Sequence, residues 1–240
     1  MHLRPRLLKP LRVLVLVALA VGSATITNAS LAYFGDDLAP FVIEKLPLPL
    51  EDLWIRALEV HVVAAAFCLP ACLLLSLAFV LRRAPRFHRW LGRATGIAVL
   101  FALVPSGMYM AWFAKGGAAS TVGFMLSGVI VAVAMVQGVR AARSRRFVEH
   151  RRYMLHVLAQ LSVAVTSRAM LFAFDAGSVD EQLAYLVSLW LPVIASFAIV
   201  ELLSIRIRSR TFATWRTHEA PVDPRRPRLV PYGLRRAHGG

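Results

Sequence analysis

"QLSVAVTSRAMLFAFD", residues 160–175, is an apolar run with one arginine set inside it. A guanidinium does not give up its charge, so at membrane depth Arg168 has to reach water, find a partner or mark a site. The run is one of six. Apolar stretches near 13–34, 54–81, 91–114, 119–141, 153–175 and 183–205 are each long enough for a hydrocarbon layer of about 30 Å, which takes roughly 20 helical residues. They are continuous and do not alternate, which selects helices over a barrel. With 58% hydrophobic residues and a mean hydropathy of +0.62, the chain is too apolar for a domain with a wetted surface. The expected fold is all-α, an integral membrane bundle of six transmembrane helices.

The charges orient that bundle. The N-terminus, the loop 82–93, the loop 140–152 and the tail after Ile205 carry four, five, six and nine basic residues, 24 of the 28. The segment 36–59 and the loop 175–181 carry nine of the 13 acidic residues. Basic short loops stay on the cytoplasmic side, so both termini are expected in the cytoplasm. The net charge of +15 is then a topology signal, with anionic lipid headgroups as its partners and no nucleic acid.

Three regions follow: residues 1–53 as the first helix and its periplasmic connection, 54–205 as a five-helix core, and 206–240 as a basic cytoplasmic tail. The tail is rich in Arg and Pro and poor in aliphatic residues, so disorder is expected there. The first helix also has the layout of a signal peptide, with a basic start, "VLVLVALAVG" and then small residues, but is read as uncleaved. Cys68 and Cys72 lie one turn apart inside the second span and read as packing residues. No Walker, Rossmann or Gly-x-Ser-x-Gly pattern occurs, and the loops leave no room for a soluble catalytic domain. Whether the protein is an enzyme is left open.

His61 opens the second span, "HRWLGR" occupies 88–93, "HRRYM" occupies 150–154, and "VTSR" ends at Arg168. In these separated motifs, taken in order, the chain resembles the bacterial multi-pass membrane proteins known as domain of unknown function 2306, over roughly residues 61–170. Two places depart from the family pattern. "CLPAC" stands where a Gly-Pro-aromatic phrase is usual, and His156 stands where arginine is usual. The resemblance implies the membrane architecture and brings no established activity.

Two constellations carry the candidate chemistry. His61 lies seven residues from Trp54 and Arg168 seven from Asp175, so each sits about 10 Å beneath the outer rim, level with Met108 and Tyr109. His61 shares a face with Ala57, Ala64, Ala65, Cys68 and Cys72, small residues that let another helix approach. One reading makes His61, Arg168 and Tyr109 a periplasmic-side pocket for a small anionic or quinone-like molecule. The other has Arg168 snorkel toward headgroups or Asp175 while His61 makes an interhelical hydrogen bond.

The second constellation lies at the cytoplasmic end: His88, Arg89, Trp90 and Arg93 with His150, Arg151, Arg152, His156 and Glu201. It reads as an anchoring belt in which His88, Arg89, Arg93, His150 and Arg151 meet lipid phosphates or another anion. The alternative is haem b with His88 and His156 as axial ligands, which their displacement along the bundle by about two turns opposes, so no cofactor is expected. Three function classes stand: a protein that binds or moves a small molecule, a haem redox protein, and a structural or assembly factor without chemistry. Reporter fusions after Asp37, Gly117 and Val179 should report the periplasm, and those after Arg86, Ser144 and Arg216 the cytoplasm. A reversed pattern would overturn the charge argument.

Overall fold

Hydrocarbon offers no partner for a free N–H or C=O, so a chain of this composition closes its backbone hydrogen bonds within each apolar stretch. All regular structure among the described residues is accordingly helical. The computed structural model describes residues 5–35, 40–45 and 47–218, with side chains described between 10 and 205, residues 36–41, 44 and 46 aside. In order these are α1 (Pro5–Ser30) with a 3₁₀ turn Leu31–Phe34, α2 (Pro40–Lys45), α3 (Glu51–Leu75), α4 (Ala78–Arg83) and α5 (Pro85–Ala98). A π turn, Val99–Leu103, leads into α6 (Val104–Ala111), followed by α7 (Ala118–Arg143), α8 (Phe147–Leu161), α9 (Val163–Ala176) and α10 (Glu181–His218).

Among the described residues six rods are long and apolar enough to cross a membrane: Pro10–Phe34, Glu51–Leu75, Pro85–Ala111, Ala118–Arg143, Phe147–Ala176 and Glu181–Ile205. The second is shorter than hydropathy suggests. Ser76 turns its hydroxyl onto Leu73 O at 2.7 Å, Leu77 is extended, and "AFVLRR" forms the separate helix α4. The third and fifth rods are each built from two helices. Residues 1–201 form one unit and 202–240 a second. α10 continues as helix through 206–218, the first part of the segment for which composition suggests disorder, and residues 219–240 lie outside the described residues.

The core is where small residues let α3, the π turn, α7 and α8 converge. Ala64, Cys68, Val99, Leu103, Val131, Ala134, Met135 and Val157 form one buried cluster. Both cysteines are free, and Cys68 is fully buried. Around this core, methionines seat on glycines: Met135 on Gly96, Met108 on Gly128 and Met154 on Gly138. Unbranched thioether chains fill the irregular gaps such glycines leave. The first rod lies at the edge, with Leu11, Val13, Leu14, Val17 and Val21 all exposed, as a lipid-facing surface requires.

Gly138 is the tightest of these seats, because a Cβ there would overlap Met154 Cε and press on Tyr153 Cβ at 3.3 Å. Its carbonyl also accepts a hydrogen bond from His150 Nδ1 at 2.9 Å, which ties α7 to α8. Gly138→Val should therefore cost about 1–3 kcal/mol by overpacking, seen as a lower thermal unfolding midpoint in detergent. Gly92→Ala, whose Cβ meets nothing within 4 Å, should leave the midpoint level or raise it.

Candidate functional site

Pro105 organises the first site. It has no N–H to offer, and just upstream the helix slips to the wider π spacing, with Val104 N bonded to Val99 O. Leu103 O, at the end of that turn, also receives side chains. His61 Nδ1 lies 3.2 Å from Leu103 O and 3.3 Å from Ser106 Oγ. Ser106 commits its own proton to Ala102 O at 2.6 Å. The imidazole therefore carries its proton on Nδ1, and Nε2 is an acceptor with no hydrogen bond among the described residues. Gly107 is what admits the ring: a Cβ there would stand 2.8 Å from His61 Cε1.

Tyr109, one helical turn on, packs beside Trp54 and Leu58, its ring meeting Phe113 edge-on at 5.5 Å between centroids. Its hydroxyl is buried and has no hydrogen-bond partner among the described residues. Met108, level with His61 in the sequence, turns instead to Gly128 on α7. Arg168 is exposed on α9, so it is not enclosed with His61 in the packed interior. Its Nη1 donates to Ala164 O at 3.1 Å, one turn toward mid-span and away from Asp175. No ion pair joins Arg168 to a carboxylate among the described residues.

At the basic end the predicted belt divides. Arg89, Trp90, Arg93 and Arg151 are exposed, as a headgroup-facing set would be. His88 is half-buried, with Nδ1 unpartnered among the described residues. Arg152 and His156 turn inward together onto Glu201: Arg152 Nη2 meets Oε2 at 2.5 Å and His156 Nε2 meets Oε1 at 2.7 Å. Because Nε2 is taken up by the carboxylate, axial ligation of haem by that nitrogen would require breaking this pair. Among the described residues no three His, Cys, Asp or Glu gather as a metal site.

Beside this triad lies a polar group that sequence reading missed. Gln160 Nε2 donates to Val193 O at 3.1 Å and to Ser196 Oγ at 3.0 Å, and its Oε1 accepts from Ser127 Oγ at 2.9 Å. The signal available was the spacing of Arg152, His156 and Gln160, four residues apart on one face of α8.

The helix count, the apolar rods and the polar residues buried between them define a multi-pass helical membrane protein. The family model described as "Predicted membrane protein (DUF2306)" matches residues 58–204, well over half of the chain, and the chain belongs to that family. No curated protein and no solved structure matches the chain.

The contact between His61 and Gly107 is open to a double-mutant cycle. Gly107→Ala should destabilise the protein by about 1–2 kcal/mol more with His61 present than in a His61→Ala background, read from thermal or chaotrope unfolding in detergent. Equal costs in both backgrounds would mean that the ring does not need the glycine.

Proposed function

We propose that the protein is a multi-pass protein of the bacterial inner membrane, with both termini cytoplasmic, that binds or moves a small anionic or quinone-like molecule. The ligand would lie in the periplasmic half, among Arg168, His61 and Tyr109. The observation that carries this reading is the direction of Arg168. About 10 Å below the rim by residue spacing, its guanidinium turns to Ala164 O instead of rising to Asp175, so the cation is held at depth without an anion among the described residues. Such a charge is costly in hydrocarbon unless something supplies the countercharge.

His61 Nε2 and the Tyr109 hydroxyl, a buried polar atom without a partner, add an acceptor and a donor on the neighbouring rods. A carboxylate, a phosphate or a quinone carbonyl suits the arginine, and a hydroxyl suits the histidine. A groove of about 510 Å³ between α1 and α3, lined by Ala20, Thr27, Asn28, Ala66 and Pro70, offers an apolar tail a place to lie. At the opposite end the exposed Arg89, Arg93 and Arg151, with His88 and His150 behind them, suit anionic headgroups of the inner leaflet.

The test is binding of a short-chain benzoquinone and of an alkyl carboxylate to the protein in nanodiscs, followed by tryptophan quenching. Arg168→Leu should weaken the bound probe by about tenfold to a hundredfold, the worth of a hydrogen bond to a charged group. His61→Ala should weaken it by less. Absence of saturable binding of either probe, or binding indifferent to Arg168→Leu, would remove this reading.

A further inference from the structure

A second line of polar groups runs between the fourth, fifth and sixth rods, independent of Arg168. It begins at the basic end with Arg152, His156 and Glu201. His156 is only 4% exposed, the Phe197 ring covers it at 4.9 Å, and both its Nδ1 and Arg152 Nε are buried without partners among the described residues. One turn further in stands the trio Ser127, Gln160 and Ser196. Toward the acidic end Ser120 and Ser188 are fully buried, each hydroxyl without a partner among the described residues. Lys115 and Glu181, paired at 2.7 Å, close that end. From Glu181 to Glu201 α10 rises about 30 Å, the thickness of the hydrocarbon layer.

The line is interrupted once. Between the Ser188 level and the Gln160 level, Val163, Leu189 and Val193 form a small buried cluster with Trp190 against it. Both rods depart from a plain α ladder at this same height. The fifth passes from α8 to α9 at Ser162, whose carbonyl also takes the tighter bond from Val165 N at 3.0 Å, and Pro192 inside α10 has no N–H for the carbonyl of Ser188. Discontinuous helices at mid-membrane, with polar groups on both sides of an apolar constriction, are how membrane proteins build a path that opens and closes.

We propose that these three rods form a gated proton path, with His156 and Glu201 as its acid–base relay and Val163, Leu189 and Val193 as its gate. Glu201 is held as a carboxylate by Arg152, so His156 Nε2 donates to it and the buried Nδ1 is left as the acceptor. A proton arriving at Nδ1 makes an imidazolium. The proton on Nε2 then passes to Glu201 and leaves from there to water at the basic end, one in and one out. The charged and titratable groups around the relay are Arg152 on α8 and Glu201 on α10, with Glu149 and Tyr153 beside Arg152. The buried serines and Gln160 supply the hydroxyl and amide steps on which ordered water bridges.

The experiment reconstitutes the full chain in liposomes with a trapped pH-sensitive dye, under a valinomycin-set potassium potential. The wild type should acidify the lumen faster than protein-free liposomes, and Leu189→Ala with Val193→Ala should accelerate it without admitting sodium or chloride. Adding His156→Gln, which keeps a donor to Glu201 but cannot carry a proton, should cut the flux of the opened variant by about tenfold or more, the scale of losing a positioned proton-transfer group. Elution as a single symmetric peak in detergent checks that each variant is folded. No proton flux from the wild type or the opened variant, flux that survives His156→Gln, or a flux that includes sodium or chloride would each overturn the proposal.

Discussion

Every amide inside the apolar layer has to be satisfied by its own helix, because hydrocarbon supplies nothing else, and the polar architecture of this protein grows from the places where that rule is strained. At Pro105 the ladder slips to π spacing, and Leu103 O takes up His61. At Ser162 the fifth rod passes from one helix to the next, and the Ser162 carbonyl is shared among Val165 N and the amide and hydroxyl of Thr166. At Pro192 the sixth rod loses one donor. Beside two of these points a side chain of another rod meets the backbone, His61 at Leu103 O and Gln160 at Val193 O.

The rods come close enough for this only because glycine and alanine line the contacts. Without a hydrophobic force between helices in lipid, close van der Waals fit is what holds them. Gly123 faces Leu189, Gly128 faces Met108 and Gly138 faces Met154, so α7 meets three neighbours through missing side chains. That closeness places Ser127 within reach of Gln160 and brings α10 up to α8, where Glu201 gathers Arg152 and His156.

The two polar systems differ in how their charges are balanced. In the Arg152, Glu201 and His156 group, a carboxylate stands against a guanidinium and an imidazole from another helix, so the charge is settled inside the bundle. At Arg168 it is not: the guanidinium reaches only a neutral carbonyl. A balanced buried cluster suits the internal movement of a proton, while an unbalanced exposed cation suits a ligand that brings the opposite charge.

The number of rods, their approximate limits and their all-helical nature were legible in the sequence, because length and continuous hydropathy are local properties that hydrocarbon converts directly into helices. His61, Arg168, His88 and His156 stood out for the same reason: polar groups in or beside apolar runs are conspicuous without any fold. Which atoms they touch was not legible, since a contact between residues 45 positions apart, such as His156 with Glu201, depends on the rotation and height of two separate rods. The direction of Arg168, the inward turn of Arg152 and the trio around Gln160 were settled by packing. Rod α7 and its glycines fix how the helices lean, and a lean of one residue moves a side chain by about 100° around its helix, from lipid to core.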